Sequence, residues 1–447
     1  MLAAMSATAD SPGSPVAAVA RNGGGDACPG ALRLHRADDG ALARVRIPGG
    51  VLTADQGRVL LDAAERLGDG ALHLTSRGNV QLRGLRREHG PELSELLVAA
   101  GLLPSVHHER ARNVVASPLA GLDGLGHGGL RSWLVELDAL LCGSERAAAL
   151  SGRFLFGLDD GRGDMTALGA DLTLLAGPDG RATLRIGPGD TGTPLPVPCA
   201  AAPRAALLAA EAFLDLAADP GIWRVSALPE DVRAALPAEV ARRAGLLPPA
   251  ERPAQAEQAS PSDPAAAGAP APGAVTGPDG RTALHVGVPM GRLTGGRWRA
   301  LLETAEHHGS GELRCTPWRG VVVPGLGAAA ARQALDSLAG AGLVTGAGSP
   351  WSGVGACVGR PGCAKSLADV RAEAEAALGP AGRLPVYWSG CERRCGHPHG
   401  EWIDVVATPE GRRITHVRGD TRATPVTVRD DPAALAAAVA AARGIRA

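Results

Sequence analysis

Sliding the sequence against itself by 241 positions aligns residues 44–85 with 285–326 without a gap, and 17 of the 42 pairs are identical. The matches include Pro48 with Pro289, Leu52-Thr53 with Leu293-Thr294, Arg58 with Arg299, Ala64-Glu65 with Ala305-Glu306, and Thr75 with Thr316. Chance does not produce such a match. The chain contains a duplicated module, and its fold must accommodate two copies.

Each copy opens on an alternating run, ALARVRIP or TALHVGVP, and continues into a polar turn and a segment of helical period such as DQGRVLLDAAERLG. Two short strands and a second amphipathic helix follow, which predicts a small α+β sandwich in each copy. A longer, glycine-punctuated region comes after each module. The expected organisation is a disordered N-terminus over 1–27, module 28–104, domain 105–247, linker 248–280, module 281–344 and domain 345–447. In the linker Pro, Ala, Ser and Gly crowd out every large apolar residue except Val275, so it should not bury enough surface to offset its ordering entropy.

With 447 residues the chain is long enough for about three domains. Its 45 basic and 46 acidic side chains leave a net charge of -1, so no overall field favours nucleic acid or an anionic membrane. No stretch reaches the roughly 18 apolar residues of a membrane span. The N-terminal segment has neither a basic start nor a long apolar run, which places the chain in the cytoplasm. Disulfides are rare there, so the eight cysteines read as thiols, metal ligands or catalytic groups.

Four of them fall together, Cys357 and Cys363 as C-x5-C, then Cys391 and Cys395 as C-x3-C after 27 intervening residues. Zinc ribbons usually use a C-x2-C knuckle, absent here, whereas four thiolates on glycine-rich loops suit an iron-sulfur cluster. Structural zinc and unligated thiols are the alternatives. Cys28, Cys142, Cys199 and Cys315 stand alone and read as ordinary thiols.

The duplication, the cysteine quartet and the segment LTSRGNVQLRG (residues 74–84) together resemble the nitrite and sulfite reductase superfamily. That resemblance implies an α+β architecture with pseudo-twofold symmetry: two ferredoxin-like half-modules and two cluster-and-haem-type domains. It implies a 4Fe-4S cluster on Cys357, Cys363, Cys391 and Cys395. It also implies that Arg77 and Arg83, then Arg110, Arg112 and Asn113 of ERARNVVASPLAG, grip the carboxylates of a tetrapyrrole, with Arg153 of SGRFL at an anion-facing position. Within the superfamily the strings CVGRPGCAKSLADVRAEA and SGCERRCGHPHG are similar to those of the precorrin-3B synthase family. Membership there would imply oxidation of precorrin-3A to precorrin-3B, by C20 hydroxylation and γ-lactone formation. Molecular oxygen and an external electron donor would be required, and a separate mononuclear non-haem iron would accompany the cluster.

Where the reductases carry a second lysine in a P-R-K-F-K-like segment, this chain has Leu155, which cannot neutralise a small oxyanion. That weighs against the first alternative, a sirohaem-dependent sulfite or nitrite reductase. The second alternative is a non-catalytic tetrapyrrole-binding or electron-transfer protein. Guanidinium forks at Arg77, Arg83, Arg110, Arg112 and Arg153 suit a polycarboxylate, although 44 of the 45 basic residues are arginine and a solvated role is the default. His107, His108, His397 and His399 are candidate iron ligands among which the sequence does not choose. No dinucleotide-binding glycine motif follows a predicted strand, so electrons should arrive from a partner.

Overall fold

The structure is a computed structural model that describes residues 30–32, 34–188, 192–217, 219, 221–246, 268–398, 400–429 and 431–444. The expectations for 1–27, Cys28, His399 and residues 248–267 lie outside the described residues. In the first module the order is β1 (His35–Ala37), β2 (Gly40–Val45), β3 (Val51–Thr53), α1 (Ala54–Leu67), β4 (Ala71–Leu74), β5 (Val80–Leu85) and α2 (Gly90–Ala99). Helix α1 begins where the Thr53 hydroxyl accepts from the Gln56 N–H and the Gln56 side chain accepts from the Thr53 N–H, a reciprocal capping box.

The first domain comprises β6 (Val114–Ala116), α3 (Leu130–Gly143), β7 (Phe156–Asp159), β8 (Leu172–Ala176), β9 (Arg181–Ile186), β10 (Thr193–Pro198), α4 (Ala202–Leu216) and α5 (Glu230–Ala244). The second module repeats the first as β11 (Gly273–Thr276), β12 (Thr282–Gly287), β13 (Arg292–Thr294), α6 (Gly295–His307), β14 (Glu312–Cys315), β15 (Gly320–Leu326) and α7 (Ala328–Gly340). The second domain follows with β16 (Val354–Ala356), α8 (Val370–Ala376), β17 (Val386–Ser389), β18 (Glu401–Thr408), β19 (Gly411–Arg418), β20 (Thr421–Arg422), β21 (Val426–Val428) and α9 (Pro432–Ala442). The expected linker is corrected at its C-terminal end. Val275 lies in β11, opposite Ala283 of β12, and packs with Leu119, Ala283 and Val322. One apolar residue suffices there because β11 extends an existing sheet rather than building a core of its own.

The two modules complete each other. One sheet runs β1-β2-β5-β4-β13 and the other β11-β12-β15-β14-β3, so each takes its edge strand from the other copy. Arg292 opposes His73 in one sheet and Arg314 opposes Val51 in the other, the same pairing seen from the two sides of the 241-residue offset. The surface ion pairs Arg58–Glu306 and Arg299–Glu65 are reciprocal in the same way. At the axis the symmetry is broken by size: Trp298 is fully buried and its indole N–H donates to the Gly57 carbonyl at 2.8 Å. Its counterpart is Gly57, where a Cβ would stand 2.6 Å from Leu302 Cδ2. Leu52, Leu72, Leu82, Leu293, Trp298, Leu301 and Val321 therefore share one core. Each domain has its own core beside it.

Candidate functional site

Parallel pairing of β16 with β17, Ala356 opposite Trp388, brings the C-terminal ends of these strands side by side. Cys357 directly follows β16, and Cys391 lies just past the end of β17, so both cysteine loops start from one sheet edge. Loops beyond the carboxyl ends of parallel strands are where α/β sheets gather ligands. The Gly390 N–H donates to Cys357 Sγ at 3.2 Å. Burial pushes the Cys357 thiol up, N–H groups of Gly390 and Gly359 oppose the shift, and the nearby Cys391 and Cys395 add to it.

Side chains from several elements hold the carbonyls of these loops. Tyr387 Oη donates to the Cys395 carbonyl at 2.6 Å, Arg371 Nε to that of Cys357 at 3.2 Å, and Arg319 Nη2 to that of Gly396 at 3.1 Å. Tetrahedral zinc, with Zn–S near 2.3 Å, needs thiolates about 3.8 Å apart. Among the described residues, the only His, Cys, Asp and Glu ligand atoms gathered in threes within 4.8 Å are those of Asp159, Asp160 and Asp164. No three of the four cysteine sulfurs lie that close together. Four soft donors on loops that aim N–H groups at sulfur fit a 4Fe-4S cluster.

The described lone cysteines stay ordinary. Burial pushes Cys315 up to about 12 and raises Cys142, and Cys199 Sγ donates to the Arg181 carbonyl at 3.1 Å.

The expected anion-gripping residues divide into two sets. Arg77 Nη1 donates to the Gly152 carbonyl at 3.2 Å, and Arg46 Nη2 donates to the same oxygen at 3.3 Å. Two guanidinium groups therefore meet over the loop that carries Arg153, whose own guanidinium lies 4.3 Å from the centre of the Trp223 ring. Arg110 is buried in the turn before β6.

Arg83 and Arg112 make ion pairs within the chain. Arg83 Nε and Nη2 bind Asp39 at 2.9 and 2.8 Å, and Arg112 Nε and Nη2 bind Asp138 at 2.7 and 2.8 Å. Both forks are already filled by an aspartate of this chain. The Asn113 amide donates to the carbonyls of Phe154 (2.9 Å) and Gly152 (3.4 Å) and accepts from Asn79 at 3.2 Å, tying the 75–79 turn to the 151–155 loop. Arg46 and Asn79 are functional neighbours that motif reading missed. Only the second had a signal, since GNV follows Arg77 as NV follows Arg112.

Leu155 is 2% exposed and packs with Val115, Met165, Ala170 and Trp318. It faces an apolar cluster rather than an anion. Both ring nitrogens of His108 are engaged, with Ser105 Oγ at 2.6 Å and the Ser144 carbonyl at 2.8 Å, which leaves no lone pair for iron. His107 is exposed, and His397 stacks on Trp402 with its Nδ1 2.8 Å from the Pro398 carbonyl.

The first domain repeats the strand arrangement of the cysteine site with different chemistry. Ala116 opposes Leu158 as Ala356 opposes Trp388, so Ser117 stands where Cys357 does, Asp159 closes β7, and Asp160 and Asp164 follow it as the second cysteine pair follows β17. Ser117 Oγ donates to Asp164 at 2.5 Å, while Asp159 accepts from the N–H groups of Gly161, Gly163 and Met165. Asp164 is pushed up to about 7, first by burial and then by Asp159, against the hydrogen bond from Ser117.

Unfolded aspartate titrates near 3.9. The native state therefore holds a proton that the unfolded chain releases between about pH 4 and 7, and this contribution to stability is complete below pH 4 and lost as pH rises through 7. Asp164→Asn, neutral throughout, is expected to flatten the fall in unfolding free energy between pH 5 and 8, read by urea titration, which can reach roughly 3 kcal/mol for one such group. Equal slopes for both proteins would show that Asp164 is ionised in the folded state.

Residues 34–100 and 276–341 each match the nitrite/sulfite reductase ferredoxin-like half domain. A precorrin-3B synthase of Sinorhizobium sp is 27% identical over 420 residues, 91% of this chain and 85% of that protein. The chain therefore carries two copies of the nitrite/sulfite reductase ferredoxin-like half domain. The NirA protein of Mycobacterium tuberculosis shares the fold with a TM-score of 0.67 at 18% identity, over 88% of this chain and 77% of that one. A ferredoxin–nitrite reductase of Leptolyngbya laminosa is 44% identical, but over 85 residues, 18% of this chain and 16% of that enzyme. Likeness to the nitrite reductases is local. Likeness to the precorrin-3B synthase of Sinorhizobium sp runs nearly end to end.

Proposed function

We propose that this chain oxidises precorrin-3A to precorrin-3B in the cytoplasm, as a monooxygenase that takes electrons from an external donor. The observation that carries this reading is the unequal treatment of the 151–155 loop: a cationic side at Arg46, Arg77 and Arg153, and an apolar side at the buried Leu155. A polycarboxylate macrocycle is served by guanidinium forks at its rim. A small oxyanion under reduction needs a second cation, and Leu155 withholds it. The nearly full-length similarity to a precorrin-3B synthase supports the same reading.

In this scheme Arg77 and Arg46, aligned by the Gly152 carbonyl, orient acetate or propionate groups, and Arg153 on Trp223 guards the rim. Cys357, Cys363, Cys391 and Cys395 would hold the cluster, which when bound supplies electrons one at a time. The loops keep those thiols together and shield Cys357. Among the described residues no helix is long and apolar enough to cross a membrane.

The deciding experiment is an absorption spectrum with iron, sulfide and tetrapyrrole analysis of anaerobically purified protein. A cluster without sirohaem, with oxygen-dependent turnover of precorrin-3A, is the expected result. Stoichiometric sirohaem would make the chain a reductase. A cluster with turnover of neither substrate would make it a carrier.

A further inference from the structure

Both peptide groups flanking Cys363 are held by the first module, one by the β1–β2 turn and the other by Arg83 of β5. Arg83 Nη2 donates to the Gly362 carbonyl at 3.0 Å, and the Ala364 N–H donates to Asp38 Oδ2 at 2.6 Å. Asp38 and Asp39 form the turn between β1 and β2, and Asp39 in turn grips Arg83 through two of its nitrogens. A peptide group is rigid, so fixing the Gly362 carbonyl fixes the plane that enters Cys363, and fixing the Ala364 N–H fixes the plane that leaves it. With both planes set, the backbone dihedrals of Cys363 and the direction of its Cα–Cβ bond are set as well.

The loop is shaped for this contact. A Cβ on Gly362 would stand 2.9 Å from Asp39 Oδ2 and 3.4 Å from Arg83 Nη2, so glycine lets the loop lie against the ion pair without displacing it. Arg83 is 7% exposed. A buried ion pair is a weak device for stability but a sharp one for geometry.

We propose that Asp38, Asp39 and Arg83 are positioning residues for the cluster ligand Cys363, so that the first half-module aims one of the four thiolates carried by the second domain. This rests on the cluster reading above. It gives Arg83 a role other than gripping tetrapyrrole carboxylates. A cluster forms only when four thiolates converge together, and a ligand whose backbone direction is already set is lost less readily.

The test uses the full chain with Asp38→Ala and Arg83→Ala. Asp38 is exposed, so its replacement leaves folding intact even where Arg83→Ala perturbs it. In metal-free protein, alkylation of Cys363 by iodoacetamide is followed by peptide mass spectrometry with Cys391 in the same molecule as the reference. The expected result is about a tenfold rise in the Cys363 rate relative to Cys391 in both variants. After reconstitution with iron and sulfide, cluster absorption should decay in air about tenfold faster than in the parent. Unchanged relative alkylation in Asp38→Ala overturns the clamp. A parent chain that takes up no 4Fe-4S cluster overturns the cluster reading beneath it, a result visible without either variant.

Discussion

Cys391→Ser is expected to leave purified protein with on the order of a tenth or less of the parent's iron and acid-labile sulfide, and with no oxygen-dependent turnover. A serine hydroxyl does not ionise near neutral pH and is a hard, poor donor to iron, so three thiolates would remain around a site that needs four. The loss should be specific. Cys199→Ser, which removes a thiol hydrogen-bonded to the Arg181 carbonyl in the first domain, should keep the full complement. Fold loss is separable, because β17 and β18 are paired along Val386–Ser389 without help from the thiols, and far-ultraviolet circular dichroism should be the same in both variants. Full iron and sulfide in Cys391→Ser would refute the ligand set.

The same residues show what a one-dimensional reading captures. The duplication was legible because the pseudo-axis is lined by matched pairs, Leu52 with Leu293 and Leu72 with Leu313, whose burial demands the same residue in each copy. The cysteines were legible because ligand spacing reflects a short loop after each parallel strand. Partners distant in sequence were not. Arg83 and Arg112 read as ligand-binding arginines because they lie within motifs, yet Asp39 is 44 residues before one and Asp138 is 26 after the other.

Arg46 was hidden in the alternating run just past the end of β2, where its neighbours Val45 and Ile47 are core. Nothing in the pattern marks which arginine on the outer face meets another domain. The acidic site of the first domain emerges only once Ser117 is laid over Cys357, a match of strand register rather than of residue type. The start of the second module was misplaced for a related reason: β11 is a poor strand by composition and exists because β12 offers it an edge.

Arg77→Ala should weaken binding of a polycarboxylate tetrapyrrole by about 30- to 150-fold, as loss of a charge-assisted pair of hydrogen bonds worth 2–3 kcal/mol requires. Fluorescence titration with a stable porphyrin bearing acetate and propionate groups measures it. Arg77→Lys keeps the charge without the fork and should recover part of that loss. The informative contrast is Arg112→Ala. Its guanidinium is spent on Asp138 and on the Leu102 carbonyl at 3.0 Å, so breaking that buried pair should cost roughly 3 kcal/mol of stability and leave porphyrin affinity of the folded protein unchanged. If the effects were reversed, with Arg112→Ala weakening binding and Arg77→Ala leaving it alone, the site would lie on the α3 side of β6, and Gly152 would be only a turn. Electrostatics favour the first outcome: the Arg77 and Arg46 guanidinium groups converge on one carbonyl oxygen, and a site that gathers positive charge favours an anionic ligand.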